Sequence, residues 1–123
     1  MTSPERGLRR LTRSCRFPAG SFDHVLSYWG NSSATAAYLY HLLTDPGVPF
    51  SMFAHARMDL YEKQTYLAQK MTYADNLFLV CEYNRGYVRD LYPAAWPRLA
   101  KKIQIHHLGL DLEEFAFTPT GRA

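Results

Sequence analysis

Cysteine is scarce in this chain. Cys15 and Cys81 stand apart, with no CxxC pair and no dense framework. A disulfide-stapled scaffold is therefore excluded, and a reducing compartment with both thiols free is expected. No apolar run approaches the ~20 residues of a membrane-spanning helix, so nothing is expected to cross a bilayer. Glycine and proline are few, 7 of each in 123 residues, while aromatics make up 15%. That balance excludes a disordered or low-complexity chain. The sequence also lacks GxGxxG, a P-loop and GxSxG, so dinucleotide, Walker-type and esterase readings have no signature.

Acidic residues are missing from one stretch in particular. Residues 1–16 carry Arg6, Arg9, Arg10, Arg13 and Arg16 against Glu5 alone, a formal +4, while the other 107 residues hold 9 basic and 10 acidic groups. The net +3 thus belongs to an N-terminal arm and not to the body of the chain. Nucleic-acid binding wants a basic face on the folded domain, so this distribution argues against it. An Arg-rich, Ser-bearing, acid-poor start imitates a transit peptide, yet it has no apolar core of a secretory signal. The simpler reading is a solvated helix with Leu8 and Leu11 turned to the domain.

What is present suffices for one core. At 47% apolar residues, a chain of this length buries roughly two-thirds of its unfolded surface. Neither a repeat nor a linker interrupts residues 17–123, and short apolar runs alternate with helical patterns. Residues 22–28 (FDHVLSY) read as a strand, followed by a Gly30-Asn31 turn. Ser32 and Ser33 can cap a helix in which Ala36, Leu39, Tyr40 and Leu43 fall at i, i+3, i+4 and i+7. Asp45-Pro46-Gly47 stops it, and residues 49–54 (PFSMFA) form the next strand.

After a loop over 55–59, a second helix is expected over roughly 60–73, with Leu60, Leu67, Met71 and Ala74 on one side. Residues 77–80 (LFLV) look like a strand buried on both faces. Residues 82–91 form a third helix with Tyr87, Val88 and Leu91 inward. Residues 103–106 (IQIH) form the last strand. Such alternation predicts an α/β fold: a partial Rossmann-like parallel sheet, right-handed crossovers and helices on both faces.

In such a sheet, ligands bind outside the carboxyl ends of the strands. The residues there are Tyr28-Trp29-Gly30-Asn31, then 55–59, 81–85 and 107–109. His55 follows an uncharged strand, where an imidazole serves as a structural group or titrates near neutrality as a site residue. Asp59 can orient that imidazole or cap the second helix, and capping is favoured. Glu82 and Arg85 lie in the first turn of the third helix, an anion-favouring place. An ordinary first-turn acid paired with Arg85 is the plainer account of both. His106 and His107 are adjacent on a strand and point to opposite faces, so they cannot share one metal ion. No metal site is expected. Cys81 reads as a small buried apolar residue rather than a nucleophile, having no placed base.

Three ordered runs carry a resemblance: GVPFSMFAHARMDLY (47–61), ADNLFLVCEYNRGYV (74–88) and KIQIHHLGLDLEEF (102–115). Over roughly residues 22–117 the chain resembles the family 4 retaining glycosyltransferases, and among them those of capsule and polysaccharide biosynthesis. The family shows a G-x-P-F strand ending in an active-site His, a loop Asp, an S-E-x-x-R segment and a final G-V-D-x-x-x-F. The resemblance makes His55 the catalytic-site histidine and Asp59 the loop acid. It makes Glu82 and Arg85 the E-x-x-R pair, and Gly109 and Asp111 the domain-junction turn. Gly30 and Asn31 join Asp59, Glu82 and Arg85 as candidate substrate contacts. Cys81 stands in place of the usual Ser, and Leu26 and Tyr28 stand where relatives often have histidines.

That family has the GT-B architecture, two Rossmann-like domains with catalysis in the cleft between them. The resemblance spans only the later half of the first, acceptor-side domain (17–117), preceded by the basic arm (1–16) and followed by a junction tail (118–123). It implies transfer of a sugar from a nucleotide-sugar donor to a glycan or lipid-linked acceptor, with retention and without a bound metal or other cofactor. The donor-binding domain would have to come from elsewhere, so the chain alone is expected to be inactive. A cytoplasmic location is implied, with no nucleic-acid partner and at most peripheral membrane contact. The competing reading is a non-enzymatic α/β binding or assembly module. In either case an unpaired sheet edge predicts self-association or a partner.

Overall fold

A computed structural model describes residues 17–63 and 65–115. The basic arm, Cys15 and the tail over 118–123 lie outside these residues. Four strands form one all-parallel sheet: β1 Val25–Ser27, β2 Phe50–Ala54, β3 Asn76–Leu79 and β4 Ile103–Ile105. Between them run α1 Ser32–Leu43, a π-helical turn Arg57–Tyr61, α2 Leu67–Tyr73, α3 Glu82–Leu91 and the short α4 Trp96–Leu99. Met52 of β2 pairs with Ser27 and Leu77, and Leu79 pairs with Ala54 and Ile105. The α/β class and the parallel sheet are as expected. No helix among the described residues is long and apolar enough to cross a membrane.

The strands lie in the order β1-β2-β3-β4, each beside its predecessor in the chain. Crossovers of one hand that always advance in one direction put every connecting helix on the same face of the sheet. The core follows suit. Phe50, Met52, Ala54, Leu77 and Leu79 from one sheet face join Ala34, Leu60, Leu67, Met71, Val88 and Leu99 from the helices and the π turn in a single buried cluster. Helices on both faces would need the strand order to reverse, and among the described residues it does not.

No helix among the described residues covers the opposite face. It displays Leu26, 53% exposed, together with Ser51, Phe53, Asn76, Phe78 and an exposed Gln104. Polar groups bridge its amino end, where His24 Nε2 lies 3.0 Å from Ser51 Oγ and Asn76 Nδ2 donates to that hydroxyl at 3.1 Å. Rings fill its carboxyl end, with Phe53 and Phe78 stacked at 4.8 Å. Phe53 is buried there by neighbouring rings, without a covering layer. Because β3 alternates between half-buried and buried residues, β2 alone is buried throughout. Of the two interior strands, β2 is the one buried along its whole length, and 77–80 is not.

Three helical details differ from the sequence reading. Asn31, not Ser32 or Ser33, caps α1, its Oδ1 accepting from the Ser33 N–H at 3.2 Å. Helix α1 also buries Ala34 and His41 rather than the Leu39 stripe. Alanines allow close approach to the sheet, and His41 Nε2 is satisfied by the Val48 carbonyl. The expected helix over 60–73 is two pieces, since Tyr66 takes a left-handed φ of 56° before α2. Leu91, expected inward, is exposed.

The one-sided core sets the cost of truncation. Replacing the fully buried Leu77 by Ala should destabilise by about 2–5 kcal/mol, whereas Leu26→Ala should change stability by no more than about 0.5 kcal/mol. Urea unfolding of both variants checks this, and equal losses would contradict a core on one face.

Candidate functional site

His55 is the residue immediately after β2, at the carboxyl end of the sheet. There the backbone enters the π-helical turn, closed by the Glu62 N–H donating to the Arg57 carbonyl at 2.9 Å. That extra-wide turn swings Asp59 inward. Its Oδ2 accepts from the His55 backbone N–H at 3.1 Å and from the ring Nδ1 at 3.2 Å. The expected capping role is thus replaced by orientation of the imidazole. Asp59 is fully buried within the turn and lies eight residues ahead of α2, too far to cap it.

The bond fixes the tautomer. A carboxylate only accepts, so Nδ1 carries the proton and the neutral ring offers Nε2 as an acceptor. His55 Nε2 and Asp59 Oδ1 are both buried without a hydrogen-bond partner among the described residues. Buried polar atoms seldom go unpaired. An orphaned nitrogen on an oriented imidazole at a sheet's carboxyl end is the arrangement expected of a ligand-binding group.

A second buried charge lies close by. Lys70, only 1% exposed on α2, donates through Nζ to the Gly30 carbonyl at 2.8 Å, the Asn31 carbonyl at 3.0 Å and Thr35 Oγ1 at 3.1 Å. All three ammonium protons are thereby used. Burial pushes this lysine below its ordinary value, and the Asp59 carboxylate partly counters the shift. Gly30 in turn packs directly on the acid, for a Cβ placed there would lie 3.1 Å from Asp59 Cβ. Lys70, Gly30, Asn31, Asp59 and His55 therefore form one unit.

From the other side, Asn84 of α3 donates from Nδ2 to the His55 carbonyl. Its Oδ1 accepts from the Tyr61 hydroxyl at 2.5 Å. Burial, aided by Tyr83, Cys81 and Tyr87, pushes the Tyr61 phenol above its ordinary value, which keeps it a donor. Above the imidazole stand Tyr28 and Trp29, with ring centroids 4.8 and 4.7 Å from it.

Of the residues expected from sequence, His55, Asp59, Gly30 and Asn31 come together. Glu82 and Arg85 sit at the start of α3 on the same rim, the acid exposed and the arginine half-buried, 3.7 Å from each other. That is the plainer, mutual pairing. Gly109 and Asp111 lie in the exposed segment after β4, where Asp111 Oδ1 accepts from the Glu113 N–H at 3.0 Å. Cys81 is a free thiol, half-buried rather than buried, because it occupies the cap position of α3 at the rim. No group of three or more His, Cys, Asp or Glu side chains among the described residues could hold a metal ion.

Lys70, Asn84 and Tyr61 were missed. Lys70 did leave a signal: it interrupts the apolar stripe Leu67, Met71, Ala74 at the i+3 position, where a solvated lysine does not belong. Asn84 left none, since a polar residue in a first helical turn is ordinary.

Fold and site together define a parallel α/β sheet domain with a histidine–aspartate pair at the carboxyl end of its strands. No family model matches the chain, and neither does any curated protein or solved structure.

Two outcomes follow. Gly30→Ala should destabilise by about 1–3 kcal/mol through overpacking on Asp59, while Gly109→Ala, with open space around it, should not. Lys70 binds its proton less tightly folded than unfolded, so the unfolded state holds more protons and stability rises with pH through that window. The stability advantage of the native chain over Lys70→Met should therefore grow as pH climbs toward the ordinary lysine range. Denaturant unfolding at a series of alkaline pH values reads the slope, and a shrinking advantage would contradict the burial argument.

Proposed function

We propose that this chain supplies the acceptor-side rim of a retaining glycosyl-transfer site of the family 4, GT-B type. The observation that carries the reading is His55, held by Asp59 through Nδ1 and left with a buried, unpaired Nε2. Such a nitrogen accepts a hydrogen bond from a sugar hydroxyl, orienting the sugar at the edge of the cleft. The ordered motifs around His55, Glu82 and Arg85 give the resemblance its support. Glu82, exposed, and Arg85, half-buried on the same rim, contact the substrate beside it.

The transferred sugar comes from a nucleotide-sugar donor and passes to a glycan or lipid-linked acceptor. In this reading the groups that hold the nucleotide lie outside the described residues, and transfer needs them. Its setting is cytoplasmic, with at most peripheral contact with a membrane surface.

A second reading, a non-enzymatic α/β binding or assembly module, is favoured by one observation. The uncovered sheet face, with Leu26 exposed beside Phe53 and Phe78, is a surface that parallel sheets ordinarily cover. Such a module would associate through that face and ignore sugars.

Two measurements on the whole chain test the proposal. Incubated with a panel of nucleotide sugars and glycan acceptors, it should release no nucleotide above background. Methyl pyranosides titrated into it should shift the His55 ring signals saturably in proton NMR, and His55→Phe should abolish the binding. Sustained turnover by the chain alone would overturn the half-site assignment. Ring signals indifferent to every glycoside would overturn the role given to His55.

A further inference from the structure

Two half-exposed aromatic rings stand over His55, and they are held by more anchors than a strand-to-helix turn requires. Tyr28 and Trp29 are consecutive, so an extended backbone would send their rings to opposite sides. Instead both reach the imidazole, and they meet each other edge-on at 90° with centroids 5.8 Å apart. The chain is bent to do this. Ser27 Oγ donates to the Trp29 carbonyl at 2.7 Å, Gly30 seats on Asp59, and Lys70 gathers the Gly30 and Asn31 carbonyls. Phe53 backs the Tyr28 ring at 5.2 Å.

The lysine is the costly part. Burying an ammonium carries a penalty of several kcal/mol, and Lys70 sits against the start of α1, whose dipole also opposes a cation. The helix itself does not need it, because Asn31 already provides the cap. What the lysine secures is the loop, and what the loop carries is the ring pair.

Tyr28 and Trp29 are 49% and 46% exposed. They form two perpendicular walls, with an unpaired hydrogen-bond acceptor, His55 Nε2, at their base. A ligand matching that corner has a flat apolar face and a hydroxyl at its edge. An alkyl chain offers no donor to the nitrogen. A pyranose offers both, with its axial C–H groups on one face and its hydroxyls around the rim.

We infer that Tyr28 and Trp29 are the stacking platform of the acceptor subsite, selecting a pyranoside and delivering one of its hydroxyls to His55 Nε2. The inference rests on the glycosyl-transfer reading above. Because Nε2 is buried under the rings, entry of the sugar turns one ring outward, and the indole reports it.

Trp29 and Trp96 are the 2 tryptophans of the chain, so Trp96→Phe leaves Trp29 as the sole emitter. In that background, methyl glucoside, methyl mannoside and methyl N-acetylglucosaminide are titrated, with tetrahydropyran, a pyranose-sized ring without a hydroxyl, and adenosine as apolar and nucleobase controls. At least one glycoside should change Trp29 emission saturably while the controls do not. Tyr28→Ala should weaken that binding by about 2- to 10-fold, the worth of one aromatic contact. No saturable change with any glycoside, at an unaltered circular dichroism spectrum, would overturn the platform, as would an equal response to tetrahydropyran or adenosine. Should glycosides move Trp29 emission as tightly in His55→Phe, the platform stands and the role of His55 falls. Should the His55 ring signals shift while Trp29 emission stays constant, the reverse holds.

Discussion

One buried charge organises the rim of this domain. Lys70 Nζ donates to the Gly30 and Asn31 carbonyls and to Thr35 Oγ1, tying α2 to the loop that leaves β1. Through Gly30 the loop presses on Asp59, and through Asp59 the same contact sets the angle of the His55 ring. Removing the ammonium would strand three acceptors and leave the Asp59 carboxylate without its nearby counter-charge. A buried charge without partners costs far more than a surface pair contributes. The lysine and the acid therefore make sense only together.

The second constraint is topological. Strands laid down in simple succession with crossovers of one hand collect their helices on one face. The core of this chain is accordingly one-sided, and the rings of Phe53, Phe78 and Tyr28 shelter one another on the open side. His55 and its aromatic neighbours stand at the carboxyl end of that open face. Among the described residues, the open face and the rim at the carboxyl ends of the strands are continuous, so whatever covers the sheet also shapes the approach to His55.

Much of the fold was legible from sequence because its elements are short, apolar and cleanly punctuated. β2, α3 and β4 lie where hydrophobic runs and Pro or Gly breaks put them. Two features were not legible. Helix α1 is apolar on most sides, so its inward stripe depends on which alanines approach the sheet, a tertiary choice. The number of covered sheet faces depends on strand order, which periodicity does not encode. At the site, His55 and Asp59 were visible as types and spacing, but their pairing was not. A four-residue separation suits a helix cap as well as a π turn, and only the turn's extra residue rotates Asp59 inward. Lys70 stood out in an apolar stripe, but its partners were hidden, because the Gly30 and Asn31 carbonyls and the Thr35 hydroxyl lie far away in the sequence.

The central claim is that Asp59 holds His55 in the Nδ1–H form and thereby leaves the buried Nε2 as an unpaired acceptor. Long-range proton–nitrogen correlation NMR of the histidine rings, recorded at a pH where the imidazole is neutral, measures the tautomer directly. The account predicts a protonated Nδ1 and an unprotonated Nε2 at His55, with the preference lost in Asp59→Asn or Asp59→Ala. A His55 ring protonated at Nε2 in the native chain would contradict it.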